Sequence, residues 1–228
     1  MNDHVMLITG ASTGIGAATA RAAHRADYKL VLAARSTEKL EALASEFGPE
    51  KTLTVACDVT SMEDQQAMVD KAMEHFGRID VVFANAGRGG SPGGFSEADH
   101  KSWHDMLMTN VYGVGLTIQA TLPMLRKTQG HILLTGSAAG RTTIPGSMYS
   151  ASKWAVTGIG YNLREELRGS GIRVTLIEPG MVDTPFFDQT PDHALEDRDI
   201  ANAVMYAVSQ PDHVDVNEIL IRPTPSRE

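Results

Sequence analysis

The chain has 228 residues, 42% hydrophobic and 21% charged, which excludes a disordered polymer and fits one folded domain over residues 1–228. Its formal net charge of −8, with no basic run, argues against nucleic acid or an anionic membrane surface as partner. A lone cysteine, Cys57, rules out an internal disulfide, and no apolar run reaches bilayer length, so a reducing, cytoplasmic setting is expected.

In chain order, the first element is the apolar run Val5-Met6-Leu7-Ile8, of strand length. Thr9-Gly10-Ala11-Ser12-Thr13-Gly14-Ile15-Gly16 follows, then Ala17 to Ala23, rich in helix formers. Strand, glycine turn and helix form the context that a dinucleotide fingerprint requires. Gly10 makes the tight turn, Gly14 admits a pyrophosphate to the backbone, and Gly16 lets helix pack on strand. The free N–H groups and positive dipole end of the helix then face the phosphates. The spacing is Gly-x-x-x-Gly-x-Gly, not the commoner Gly-x-Gly-x-x-Gly.

The second strand, 29–34, ends in Ala34, where an NAD site commonly carries an acid for the ribose hydroxyl. Arg35 follows, with Lys39 one turn on, and a guanidinium pairs well with a 2′-phosphate, so NADP(H) is predicted over NAD(H). The competing reading makes Arg35 the start of a solvated helix. Thr13, just before the second glycine, is uncharged. A third strand, 53–57, holds Cys57, read as a buried structural thiol, and Thr60-Ser61-Met62-Glu63 predicts a capping box on the next helix.

A strand at 79–84 leads into Asn85-Ala86-Gly87 and a flexible run, 88–94, expected to border a substrate. His100 and His104 lie four apart on a helix without a third ligand, so a solvated face is predicted and no metal. After the strand at 131–135 comes Ser137, then Tyr149 and Lys153, which a helix stacks on one face. A free tyrosine titrates near ~10, and one ammonium about 4 Å away at an effective dielectric of about 20 contributes ~4 kcal/mol, enough to lower that by ~3 units. Trp154 points elsewhere and is expected to pack. The strand at 172–177 ends near Pro179-Gly180, the segment Pro185 to Asp197 carries Phe186 and Phe187, and a last strand spans 218–222. This alternation predicts a doubly wound, Rossmann-type α/β fold: a parallel seven-stranded sheet with helices on both faces and a ligand crevice at the strands' carboxyl ends.

The glycine loop, Asn85-Ala86-Gly87, Asn110, Ser137, Tyr149, Lys153 and Pro179-Gly180, in this order, resemble the short-chain dehydrogenase/reductase family, in its compact single-domain branch, from about Val5 to Pro223. The resemblance implies Tyr149 as general acid/base, with Lys153 lowering its pKa and holding the nicotinamide ribose. Ser137 would hydrogen-bond the substrate oxygen, and Asn110 would anchor a proton-relay water. Asn85 and Gly87 would brace the sheet beside the cofactor, Asp58 would meet the adenine, and Thr184 would reach the nicotinamide side. It extends the cofactor contacts to Ser12, Thr13, Ile15, Val59, Ala86, Pro179, Gly180 and Val182. A homodimer or homotetramer through helices around 100–125 and 149–168 is also implied. Ala84 stands where the family usually has a further asparagine, and the segment at 185–197 is short for the family's lid, so an open pocket is expected.

The implied activity is hydride transfer between a nicotinamide and a carbonyl or alcohol. Ala138, Ala139, Met148, Met181, Phe186 and Phe187 are the pocket candidates, mostly apolar, with Arg88 and Arg141 expected at the surface. Rival readings are an NAD-dependent alcohol dehydrogenase, a non-catalytic nucleotide sensor on the same fold, and a sugar-nucleotide epimerase, for which the chain leaves no second domain.

Overall fold

The computed structural model describes residues 3–187 and 192–224. In chain order the elements are β1 Val5–Thr9, α1 Gly14–Arg25, β2 Lys29–Ala34, α2 Thr37–Ala44, β3 Thr52–Ala56, α3 Met62–Phe76, β4 Val81–Ala84 and a single turn α4 Gly94–Glu97. They continue with α5 His100–Leu107, a π-helical turn Met108–Tyr112, α6 Gly113–Thr128, β5 His131–Thr135, a 3₁₀ turn Ala138–Gly140 and α7 Met148–Glu166. The chain then forms β6 Arg173–Pro179, β7 Val182–Asp183, β8 Leu195–Glu196, α8 Asp197–Val208 and β9 Glu218–Ile221.

Seven strands form one parallel sheet in the order β3-β2-β1-β4-β5-β6-β9. Alternate residues of the central strands enter two separate cores, which explains why these strands read as unbroken apolar runs. Val5, Leu7, Val82 and Leu134 join Met68, Val156 and Leu163 beneath α3, α6 and α7. Met6, Ile8, Phe83 and Leu133 join Ala20, Leu40 and Val204 beneath α1, α2 and α8. The sheet is therefore covered by helices on both faces. Strand order reverses between β1 and β4, and the crevice opens at that switch point.

Three local details differ from expectation. The cap of α3 is Ser61, whose hydroxyl accepts from Asp64 N at 3.2 Å, so the cap lies one residue later than expected and no reciprocal box closes. The Asp64 carboxylate does not return to the cap but accepts from Asp58 N at 2.8 Å. Second, β7 and β8 pair as a small separate parallel sheet that pins the segment after β6. Residues 188–191 of that segment lie outside the described residues. Third, Trp154 is 47% exposed and does not pack into the chain.

Candidate active site

The site grows from the ends of β1, β4, β5 and β6. Gly10 has φ +64°, and a Cβ there would lie 2.8 Å from Ala86 Cα, so only glycine makes this turn against β4. At Gly16 a Cβ would lie 2.8 Å from Asn85 Nδ2 and 2.9 Å from Ala11 Cα, which holds α1 close beneath the loop. The first turn of α1 contains no acid, and its cap residue Thr13 makes no side-chain bond to it. The N–H groups of that turn are thus left for an anionic group.

Asn85 joins three strand ends. Its Nδ2 donates to the Thr9 carbonyl at 3.1 Å, and its Oδ1 accepts from the Thr135 hydroxyl at 3.2 Å. Its backbone N and that of Ala86 both donate to Thr9 Oγ1, at 3.1 and 3.2 Å. Asp58 makes a tight turn, its Oδ1 accepting from the backbone N and hydroxyl of Thr60 at 2.9 and 2.8 Å. Those bonds, chiefly the one from Thr60 N, hold its carboxyl below the usual range.

Tyr149 and Lys153 lie in the first two turns of α7, one helical turn apart. Lys153 is buried, its Nζ donating to the Thr135 carbonyl at 2.8 Å, and burial pulls its pKa down to about 8. The ammonium sits 5.8 Å from the centre of the Tyr149 ring. The phenol pKa is raised by burial and eased downward by the Ser137 hydroxyl. The expected lowering of the tyrosine by its lysine is not seen: the net shift is upward, from burial, and the one group that draws it down is the Ser137 hydroxyl.

Ser137 is buried, its Oγ accepting from Ala139 N at 3.1 Å and donating to the Pro179 carbonyl at 3.3 Å. Asn110 occupies the π-helical turn, a bulge that re-aims one side chain out of the α-helical register. Its Oδ1 accepts from Arg88 N at 2.9 Å, and its Nδ2 donates to the Arg88 carbonyl at 2.9 Å and to Ser152 Oγ at 3.3 Å. Asn110 thereby fastens the loop after β4 to α7.

A cleft of about 770 Å³ runs over these groups. Gly10, Ser12, Thr13, Gly14, Ile15, Arg35, Ser36, Asp58, Val59, Asn85, Ala86 and Gly87 border it, with Tyr149, Lys153, Pro179, Gly180, Val182, Thr184, Phe186, Phe187 and Gly89 to Pro92. Gly14 lies against Thr184, Gly87 near Lys153, Gly89 against Phe186 and Gly90 against Tyr149. Ser137, Asn110 and Gly16 lie behind its wall. Phe186 packs on Tyr149 with ring centres 5.7 Å apart, and on Phe187 at 5.2 Å.

Of the six pocket candidates, only Phe186 and Phe187 border the cleft. Ala138 and Ala139 belong to a turn tucked under α7, where the Ala139 carbonyl accepts from Ser150 Oγ at 2.7 Å. Met148, the first residue of α7, and Met181, 47% exposed, do not border the cleft, although Ser147, Tyr149, Gly180 and Val182 beside them do. Arg141 is only partly exposed: its guanidinium pairs with the wholly buried Glu178. Sequence reasoning also missed Thr135, whose carbonyl holds Lys153, and Ser36 beside Arg35; a strand-end threonine and a helix-cap serine carry no signal that separates them from structural ones. Arg88, also read as a surface residue, is half-exposed and pairs with Asp105 at 3.4 Å.

Cys57 is a buried thiol with its pKa pushed up to about 12 by desolvation, which makes it inert. Among the described residues no group of three or more His, Cys, Asp or Glu is arranged to hold a metal, and no helix is long and apolar enough to cross a membrane.

Relatives share this architecture. An uncharacterised oxidoreductase of Staphylococcus aureus strain USA300 is 39% identical, the alignment covering 98% of each chain. An alcohol dehydrogenase from the archaeon Thermococcus sibiricus, solved with 5-hydroxy-NADP, superposes with a TM-score of 0.91 at 34% identity over 99% of this chain and 98% of that one. A 3-ketoacyl-(acyl-carrier-protein) reductase from Brucella melitensis, solved with NADH, gives 0.89 at 28% identity over 96% of each. Residues 4–194 match the short chain dehydrogenase family pattern, and with the fold and relatives this shows that the chain is an oxidoreductase-type member of the short-chain dehydrogenase family.

Proposed function

We propose that this protein interconverts a carbonyl compound and its alcohol, with NADP(H) preferred over NAD(H). The observation that carries the reading is one cleft bordered both by an uncapped, glycine-opened helix start and by Tyr149 and Lys153, with the Ser137 hydroxyl acting on the phenol. The cleft suits a dinucleotide: its volume lies in the range of small-molecule sites, and an added Cβ at Gly14 would come within 3.0 Å of Thr184. When bound, the nicotinamide supplies or accepts a hydride.

The remaining chemistry belongs to the chain. Tyr149 holds the proton at its phenolic oxygen, giving it to the substrate oxygen in reduction and receiving it in oxidation. A phenol raised above its ordinary range is fully protonated at neutral pH, the form that reduction needs. Ser137 donates a hydrogen bond to the substrate oxygen as charge develops there, exchanging its bond to the Pro179 carbonyl. Lys153, with a pKa of about 8, still carries mostly positive charge at neutral pH and stabilises the deprotonated phenol. Pro92, Phe186 and Phe187 give this part of the cleft apolar surface, with Ser91, Thr109 and Ser147 beside them, which supports a ketone or alcohol with a hydrophobic body.

Arg35 and Ser36, both exposed at the cleft edge, precede α2, whose cap residue Ser36 makes no side-chain bond to the helix. A guanidinium beside free helix N–H groups favours a 2′-phosphate. Trp154 and Tyr161, seven residues apart on α7 and both more than 40% exposed, support association through that helix, which light scattering tests. For the cofactor, kcat/KM is measured with NADPH and NADH for wild type and Arg35→Ala. The substitution is expected to lower the NADPH value by about tenfold, a solvent-exposed ionic hydrogen bond of about 1.5 kcal/mol, and to spare NADH. Preference for NADH with NADPH use unchanged by the substitution contradicts the assignment.

A further inference from the structure

We propose that the Arg141–Glu178 ion pair is a positioning device that sets the angle of Ser137 against Tyr149; this rests on the reading of those two residues given above. Glu178 is 0% exposed, and a carboxylate so placed requires partners. Arg141 Nε donates to its Oε1 at 2.9 Å and its Oε2 at 2.7 Å, and Thr157 Oγ1 donates to Oε1 at 3.2 Å. Arg141 Nη2 also reaches Glu218 Oε2 on β9 at 2.6 Å, and the guanidinium lies over the Tyr161 ring at 5.3 Å.

These partners fix the serine from three sides. Ser137 opens the 3₁₀ turn that Arg141 closes. Glu178 precedes Pro179, whose carbonyl accepts from Ser137, and Thr157 lies one turn beyond Lys153 on α7. The turn has no slack: a Cβ at Gly136 would lie 3.0 Å from Glu178 Cγ, and one at Gly140 would lie 2.7 Å from the Lys153 carbonyl. Apolar side chains of equal volume would fill this space without the desolvation penalty of two charges. The ion pair adds direction, because the Nε–H of a planar guanidinium aimed between the two Glu178 oxygens, with Glu218 close to Nη2, sets an angle that apolar contact leaves free.

The groups acting on the Tyr149 phenol are the Ser137 hydroxyl, which lowers its pKa, and Lys153 on its own helix. Loosening the turn is thus expected to raise the phenol pKa further and to slow the proton step, leaving the distant phosphate end intact.

The test compares wild type with Arg141→Met/Glu178→Gln, which removes both charges of the buried pair together and leaves only the part-exposed Glu218 without its cation, and with Arg141→Lys, which keeps the charge but loses the planar Nε–H donor. Ser137→Ala and Tyr149→Phe are references. The readouts are kcat and KM with NADPH and the best ketone of a screened panel, NADPH affinity by fluorescence, Tm, and Tyr149 ionisation from the phenolate absorbance difference against Tyr149→Phe. The expected result is a kcat loss of about tenfold or more in the double variant and a smaller loss in Arg141→Lys, with a rise in Tyr149 pKa. NADPH affinity and ketone KM stay within about threefold. Unchanged kcat and unchanged Tyr149 ionisation overturn the proposal, as does a loss of kcat accompanied by equal loss of NADPH affinity. Should the double variant not fold, Arg141→Lys alone decides by the same readouts. If Tyr149→Phe turns over like wild type, the functional reading fails instead, and the phenolate titration still judges the pair.

Discussion

Acid is expected to weaken the sheet through a single imidazole at the strand starts, opposite the site. His131 begins β5, is 1% exposed, and has Nε2 2.7 Å from Thr175 Oγ1 on β6. Its Nδ1 is buried without a partner. Burial, with Arg173 adding like charge, depresses its pKa from 6.5 to about 3. The unfolded chain therefore takes up a proton on this residue before the folded one does. Stability is fully present above about pH 6.5 and falls as pH drops toward about 3, by at most ~5 kcal/mol in all, with ~2 kcal/mol already lost near pH 5 and ~3 near pH 4. Urea denaturation of wild type and His131→Gln at a series of pH values isolates this residue, because the carboxylates titrate in both proteins. At neutral pH the variant is expected to be the less stable, and the gap should narrow by ~2 kcal/mol on going to about pH 5. A gap that stays constant across that window refutes the argument.

Gly16→Ala is expected to push α1 away from Asn85 and Ala11, with a lower Tm and at least about tenfold weaker NADPH binding by fluorescence, since the N–H groups facing the phosphates move with the helix. Phe186→Ala removes the ring packed on Tyr149, and KM for bulky apolar ketones should rise by about two- to tenfold, an aromatic contact of ~0.5–1.5 kcal/mol, while small aldehydes are little affected. Equal effects on both substrate classes would place Phe186 outside the substrate's path.

The five inner strands were legible because each is buried on both faces and so leaves an uninterrupted apolar run, whereas the edge strands β3 and β9 are partly exposed; β3 begins and ends one residue earlier than expected, and β6 begins one residue later and runs on to Pro179. The glycine loop was legible because Gly10 and Gly16 answer to steric demands that no other residue meets. The π-helical turn around Asn110 was not, since Met108 to Tyr112 reads as ordinary helix and only the Arg88 and Ser152 contacts show why it bulges. The β7–β8 pair escaped notice because two-residue strands carry no periodicity. Arg141 was misjudged for a related reason: its partners Glu178 and Glu218 lie 37 and 77 positions away in sequence, and only the sheet brings them together. The balance of forces on Tyr149 was equally hidden. Spacing gives the neighbour Lys153, but the desolvation that wins depends on the whole cleft.

The most direct test of the functional account is turnover by Tyr149→Phe, with NADPH and the best carbonyl substrate, beside NADPH affinity. The account predicts a fall in kcat of about 10²–10⁴-fold, the contribution of a positioned acid. It also predicts NADPH affinity within about fivefold of wild type, a change under ~1 kcal/mol. Near-normal kcat in that variant would contradict it.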